Sequence, residues 1–470
     1  MTRKISTKVM TKILEKKPRP GFRQAPKKKG TPLIDKMKKA GGITITKPYK
    51  RLNPDKRVIH HLTQTDAYKF SQGQFLKHRW SNEYTEWEFK LRTKGVDITY
   101  LYDDIVKEID HLCNLRFTKW ELDGIRKVLP WLSEDFIEWL EEFQLKRKYI
   151  TVTKDPSVNG GIAIKAAGPE VQVQWFEIYV LQIVQHLYFA DEEFNWETAK
   201  KNLDEVIEKW NAAYRRGIRF TVSDFGIRRG VCDEWDEYMV STLLKRCPAF
   251  IGTSNVYLAI KLGCKAIGTF AHQLYALYQG IKGICLEDAQ WRVLEDWVKE
   301  FRGDLGIALS DNYGFAAFLR DFDKYYMKLY DGCRHDSGDP FKWGELLIAH
   351  YLRAKIDPKT KTGCWSDALD ADKALEIAEH FNGRINVAFG IGTFLSATIC
   401  GMVKKPLQMV MKVVKVNGKD VAKVSDTAGK GMCHDQDVVE NIKRVFHYVS
   451  IDDKSIEELQ EIIYGMPAAA

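Results

Sequence analysis

Residues 363–393 read GCWSDALDADKALEIAEHFNGRINVAFGIGT: a short apolar run, a polar cluster, an amphipathic stretch and a second apolar run. The stretch DADKALEIAEHF spaces its apolar residues as one face of a helix. The flanking runs GCWSD and NVAFGIGT are too short for helices and fit strands. The same rhythm extends backwards to about residue 170 through the runs RFTVSDF, AFIGTSN, KAIGTFAH, LGIALSD and YDGCRHDSGD, with helices such as DAQWRVLEDWVKEF between them. Strands alternating with helices at this spacing predict parallel βα units. Nearly every run ends on a polar residue: Asp224, Ser254, His272, Asp311, Asp336, Asp367 and Thr393. In an α/β barrel that end of the strands carries the active site. One such residue alone reads equally well as a loop starter or helix cap; seven in succession do not.

Outside this region the pattern changes. EYTEWEFKLR, from Glu83 to Arg92, alternates as a strand, WLSEDFIEWLEEFQL has helical periodicity, and KYITVT reads as another strand. After Pro406, LQMVMKVVKVNGKDVAKVSD reads as a strand, an Asn-Gly turn and a second strand. The expected architecture is an α/β fold. An irregular TIM-like barrel spans 166–403, and an accessory α+β domain spans 56–165, completed by about 404–470. A disordered basic extension covers 1–55.

The charge is unevenly placed. Met1 to Arg51 holds 17 Lys/Arg against Glu15 and Asp35, while the remaining 419 residues carry 55 Lys/Arg and 61 Asp/Glu. A segment so charged and so poor in apolar residues cannot bury enough surface to offset its chain entropy. It reads as a targeting or nuclear-type signal, a polyanion-binding arm, or a solubilising tail. The nine cysteines are scattered singly, with no CxxC, which argues against a zinc ribbon or a disulfide scaffold and for reduced thiols in the cytoplasm. The most apolar stretch, Val171 to Phe189, is interrupted by Gln172, Gln174, Glu177, Gln182 and Gln185, so no membrane span is expected.

GxxxxGK[ST], HExxH and GxSxG are absent, and FGIGTFL lacks the third glycine of a dinucleotide fingerprint. Anion- and hydroxyl-binding loops remain. In RHDSGDP, Arg334 and His335 can meet phosphate. Asp336 and Asp339 can accept from ribose hydroxyls or hold a hard cation, and Ser337 and Gly338 offer backbone N–H groups. The plainer alternative is a turn capping a helix. Gly390, Gly392 and Thr393 follow a strand and lead toward a helix, an arrangement that lets backbone approach a phosphate but also makes simple turns. In DFGIRR, Phe225 can stack on a planar anion whose carboxylate pairs with Arg228, against core packing for Phe225 and surface charge for Arg229. His272 alone reads as a structural histidine; six other strand ends on the same face raise its interest.

In order, LTQTDAYK, DFGIRRG, FIGTSN, IGTFAH, LGIALSDNYGFAAFLRDF, YDGCRHDSGDPFKWGE, WSD, FGIGTFL and NGKDVAKVSDTAGKGMCHD resemble the nicotinate phosphoribosyltransferase family, from about Leu62 to His447. That resemblance implies transfer of a phosphoribosyl group from phosphoribosyl pyrophosphate to nicotinate, with Mg²⁺ on the departing pyrophosphate and ATP as co-substrate. It implies that Phe225 stacks on the pyridine and Arg228 binds its carboxylate. Tyr68 would cover the other ring face from a neighbouring subunit, making the enzyme at least a homodimer. Arg334, Asp336, Ser337 and Gly338 would hold the ribose and neighbouring phosphates, supported by Asp339. Gly390, Gly392 and Thr393, with Ser366 and Asp367, would cradle the 5′-phosphate. His272 would be phosphorylated by ATP, although Gln273 follows it where the family commonly has Glu. With Arg334 and Asp336 it forms the expected catalytic set; the metal ligands stay open. Ser254 stands where the related amide-using enzymes place Asp, which favours the acid. The alternatives are nicotinamide transfer, or a non-catalytic polyanion-binding protein using the basic arm, which has no counterpart in the family.

Overall fold

The computed structural model describes residues 50–268, 270–427 and 433–465. The expected disorder of the basic arm therefore falls, for residues 1–49, outside the described residues. At its end the chain is tied down: Arg51 pairs with Glu108 at 3.2 Å and Leu52 N donates to the Ala190 carbonyl at 2.8 Å.

Thirteen strands occur among the described residues. They are Tyr84–Leu91 (β1), Ile150–Lys154 (β2), Ile162–Pro169 (β3), Thr221–Asp224 (β4), Phe250–Thr253 (β5), Lys265–Ala266 (β6) and Arg302–Leu305 (β7). Ile307–Leu309 (β8), Gly332–His335 (β9), Thr362–Trp365 (β10), Asn386–Ile391 (β11), Met409–Val416 (β12) and Lys419–Asp420 (β13) follow.

An antiparallel sheet has the order β13-β12-β1-β3-β2. The alternation seen in EYTEWEFKLR becomes a buried face of Thr85, Trp87, Phe89 and Leu91 on β1, its middle strand. Asn417 and Gly418 take positive φ (50° and 78°) and make the tight turn after β12. The expected second strand is cut to two residues: Val421 N still donates to the Val414 carbonyl at 3.1 Å, and the chain then runs to the other sheet, where Val424 N donates to the Asn312 carbonyl at 2.9 Å.

That second sheet has the order β6-β5-β4-β11-β10-β9-β8, with every pairing parallel. Its first and last strands in the chain, β4 and β11, are neighbours, which is the connectivity of a barrel. Closure would require β6 to meet β8, and no such pairing exists among the described residues. The expected barrel is therefore an open half-barrel, broken where its strands shrink to two and three residues and offer few ladder bonds.

The covering helices follow from local sequence. Asp370 accepts from Lys373 N at 2.8 Å and starts Ala371–Phe381, which buries Ala371, Ala374, Ile377, Ala378 and Phe381. Trp365 on β10 stacks against Phe381 at 5.1 Å and meets Trp343 edge-on at 5.2 Å. Phe176–Phe189 is buried at every position except Glu177. Among the described residues no helix is long and apolar enough to cross a membrane, and all nine cysteines are free.

Candidate active site

Because the second sheet is wholly parallel, residues that follow its strands share one edge. Phe225 follows β4, Ser254 β5, Asp311 β8, Asp336 β9, Ser366 β10 and Gly392 β11. His272 opens the helix His272–Gly280 after β6.

Two linked clusters stand on this edge. In the first, Asp311 is the hub. Its Oδ1 lies 2.7 Å from His272 Nε2, while its Oδ2 accepts from Ser337 Oγ at 2.6 Å and Lys423 Nζ at 2.8 Å. Asp336 Oδ1 accepts from Arg334 Nη2 at 3.0 Å and from Ser366 Oγ at 3.2 Å; its Oδ2 lies 3.7 Å from His272. Burial opposes ionisation of both carboxyls. Lys423 and His272 beside Asp311, and Arg334 beside Asp336, nevertheless hold each well below the usual carboxylate range. The His272 imidazole is pushed down to about 4, by burial first and then by Lys423, so it is neutral at physiological pH. Bonding an ionised Asp311 requires the Nε2–H tautomer, which leaves the Nδ1 lone pair available.

In the second cluster, Glu177 collects three donors or cations: Lys69 Nζ at 2.6 Å, Tyr68 OH at 3.2 Å and Arg228 Nη1 at 3.7 Å. Burial works against the charge of Arg228, but Tyr68, Asp66, Glu177 and Asp336 around it keep it cationic. The Arg334 guanidinium, 6.0 Å from the Phe225 ring centroid, joins the two clusters. Lys412 and Arg229 add positive charge, their pKa values pushed down by burial to about 8 and about 9. The edge thus combines a flat aromatic wall, five or more cationic side chains and a neutral histidine. It suits a multiply charged phosphate ester beside a planar anion.

The sequence matches the profile of the nicotinate phosphoribosyltransferase (NAPRTase) family over residues 220–450 and that of its N-terminal domain over 63–185. A nicotinate phosphoribosyltransferase of Chromobacterium violaceum is 42% identical over 398 residues, 83% of this chain and 97% of that protein. One of Ralstonia pickettii is 42% identical over 392 residues, 83% and 99% of the two. The chain belongs to the nicotinate phosphoribosyltransferase family. The crystal structure of nicotinate phosphoribosyltransferase from Vibrio cholerae is similar to it with a TM-score of 0.79 at 32% identity, covering 87% of this chain and 97% of that one. That from Porphyromonas gingivalis gives 0.76 at 30% identity, covering 83% and 100%.

In this member of the nicotinate phosphoribosyltransferase family, Tyr68, Phe225, Arg228, His272, Arg334, Asp336 and Ser337 all join the two clusters. Ser254 is buried beside Asp66. Gly390 and Gly392 pack on Phe225. A Cβ at Gly390 would overlap the Phe225 ring, and one at Gly392 would come within 2.7 Å of its carbonyl oxygen. Gly392 and Thr393 remain half-exposed, as does Asp367 after β10.

Several expectations are corrected. His335 is not at the anion site: it is buried, with Nε2 3.0 Å from the Gly338 carbonyl oxygen. Asp339 caps a helix, accepting from Phe341 N and Lys342 N at 2.8 Å each. Gly338 holds the turn with φ of +82°. Arg229 is not surface charge; its Nη1 donates to the Leu407 carbonyl at 3.1 Å. The helix after Gly392 is only Thr393–Ser396, so little helix dipole assists the loop.

Sequence reasoning missed Lys69, Glu177, Lys412 and Lys423. The signal was a lone charge inside an apolar element: Glu177 in FEIYVLQIV and Lys412 in MVMKVV. Lys423 lies inside a quoted motif, but nothing local says that it meets Asp311.

One ligand atom each from His272, Asp311 and Asp336 falls within 4.8 Å of the others, as a divalent cation needs. Lys423 and Arg334 already neutralise the two carboxylates, so these residues do not fit a resident metal.

Proposed function

We propose that this protein joins nicotinate to phosphoribosyl pyrophosphate, giving nicotinate mononucleotide and pyrophosphate. The observation that carries this reading is the meeting, on one sheet edge, of Phe225 and Arg228 with Arg334, Asp336 and His272. Phe225 stacks on the pyridine, Arg228 pairs with its carboxylate, and Tyr68 closes the far side. Arg334, Asp336, Ser337 and Gly338 hold the ribose and its phosphates. The loop of Gly390, Gly392 and Thr393 takes the 5′-phosphate with Ser366 and Asp367. The ring nitrogen forms the new bond to C1 as the C1–O bond to pyrophosphate breaks with its electron pair. Mg²⁺ arrives with the pyrophosphate as part of the donor substrate. The protein's part is to align the partners and to meet the charge that leaves with the pyrophosphate, a task suited to Lys423, Lys412 and Arg334.

His272, neutral and with no partner on Nδ1 among the described residues, is the group that ATP phosphorylates: a P–N bond forms as the P–O bond to ADP breaks. Its hydrolysis drives the synthesis forward. We also infer a cytoplasmic location, on the reading of the nine scattered cysteines as reduced thiols.

Steady-state turnover with nicotinate and with nicotinamide, each with and without ATP, tests the reading. Product from nicotinamide alone would overturn it. Arg228→Ala removes a charge-assisted contact of about 1.5–3 kcal/mol and should raise the KM for nicotinate by roughly 10- to 100-fold. The KM for phosphoribosyl pyrophosphate should stay within about twofold.

A further inference from the structure

The helix His272–Gly280 begins at Ala271, whose side chain has no acceptor to offer the first N–H groups of the helix. Gln273 anchors that turn instead. It is buried, and both ends of its amide are bonded. Its Oε1 accepts from Lys69 Nζ at 2.6 Å, and its Nε2 donates to Gln174 Oε1 at 2.9 Å and to Glu170 Oε1 at 3.2 Å. Glu170 is fixed in turn, its Oε2 accepting from Thr85 Oγ1 at 2.5 Å and Trp87 Nε1 at 2.9 Å on β1. Lys69 Nζ also lies 2.6 Å from Glu177 Oε2, the oxygen that accepts from Tyr68 OH. A continuous chain of polar contacts therefore runs from the first turn of His272–Gly280 to the residues given to the pyridine. The backbones are close as well: a Cβ at Gly268 would stand 3.0 Å from Tyr68 N. Successive residues of a helix point about 100° apart, so fixing Gln273 on one side sets the direction of His272 on another. In that direction His272 Nε2 meets Asp311 Oδ1 at 2.7 Å.

We propose that Gln273 is a positioning residue that holds the His272 imidazole and the pyridine pocket in one register, acting through Lys69. The inference rests on the nicotinate and phosphohistidine readings above and deepens them. Lys69 is fully buried and shares its charge between one carboxylate, Glu177, and one amide oxygen, that of Gln273. Without the amide it turns to Glu177 alone and draws that carboxylate away from Tyr68 and Arg228. Glu170 and Gln174 lose their shared donor at the same time, and the turn that carries His272 is released. One substitution therefore disturbs two sites. A neutral amide suits the position because it donates and accepts at once. A carboxylate there would still accept from Lys69, but it would face Glu170 with nothing to donate unless it held a proton.

The experiment compares wild type, Gln273→Met and Gln273→Glu by steady-state kinetics, by acid-labile label taken up from γ-labelled ATP, and by thermal denaturation. In Gln273→Met the KM for nicotinate should rise by about tenfold and labelling of His272 should slow by about tenfold, the size expected for one charge-assisted hydrogen bond. The KM for phosphoribosyl pyrophosphate should stay within about twofold of wild type. A lowered melting temperature with both properties unchanged would make Gln273 a packing residue and overturn the proposal, as would an effect on one site only. Gln273→Glu probes the same point by pH. Lys69 and Glu170 contact position 273, with Glu177 and Arg228 around Lys69, and burial already pushes the Glu170 carboxyl up to about 7. Two carboxyls that share one proton keep it to higher pH than either would alone. Relative to wild type, Gln273→Glu should therefore be nearly fully active at about pH 6 and lose most of that activity by about pH 9. A ratio that does not change with pH would overturn the proposal, and this ratio decides the matter if Gln273→Met does not fold. Wild type that makes no product from nicotinate, or takes up no label, would sink the readings beneath the inference; a normal wild type with unresponsive variants would sink the inference alone.

Discussion

At the scale of single residues, Gly390 shows how a position can be found for one reason and held for another. The sequence suggested backbone approach to a phosphate. The structure adds that the Phe225 ring occupies the space where a side chain at 390 would lie, at the point where β4 and β11 run side by side. Gly390→Ala should therefore displace Phe225, lowering stability by about 1–3 kcal/mol as overpacked sites do. The KM for nicotinate should rise more than that for phosphoribosyl pyrophosphate. Thermal denaturation and steady-state kinetics of the variant check both; an unchanged nicotinate KM would mean that Phe225 does not form the pyridine wall. Arg334, Asp336 and Ser337 were legible because their types and order are informative. Lys69 and Glu177 were not, because a buried ion pair between residues far apart in the chain leaves no local pattern.

The element that best separates competing readings is the turn leading into the helix Pro340–Arg353. RHDSGDP was read either as an anion site or as a helix cap, and it is both. Arg334, Asp336 and Ser337 reach Asp311 and Ser366, whereas Asp339 caps and Pro340 occupies the first helical turn. Asp339→Ala should cost about 1 kcal/mol of stability through loss of the cap. Denaturant titration should find that loss, with the nicotinate KM within about twofold of wild type; a large kinetic effect without a stability change would return Asp339 to the substrate site. Strands and helices with strong internal patterns, such as β1, β11 and Ala371–Phe381, were readable from spacing alone. β6 and β13 fell to two residues because a strand's length is set by what its neighbours can pair, which periodicity does not reveal.

Across the whole molecule, the contact that ties the two sheets at the active site is Lys423 to Asp311. Lys423 follows β13 of the antiparallel sheet and Asp311 follows β8 of the parallel one; their side chains are 7% and 1% exposed. Removing the cation leaves a carboxylate buried without its principal partner, so Lys423→Met should destabilise by about 3–5 kcal/mol. Adding Asp311→Asn removes the stranded charge and should restore most of that loss while turnover stays abolished. Denaturant unfolding of the two single variants and the double variant measures the coupling. Purely additive effects would mean that the pair does not join the sheets.

By itself the sequence determined the alternation of strands and helices, the polar residue after each strand and the types of group that could meet a sugar phosphate and a flat acid. These are matters of spacing and side-chain chemistry within a few residues, written directly in the order of amino acids. Only the tertiary structure decided that the barrel stays open between β6 and β8, that Lys423 reaches Asp311, and that Glu177 gathers Lys69 and Arg228. Each of those depends on segments separated by many residues and brought together by burial and strand pairing, whose outcome no local stretch contains.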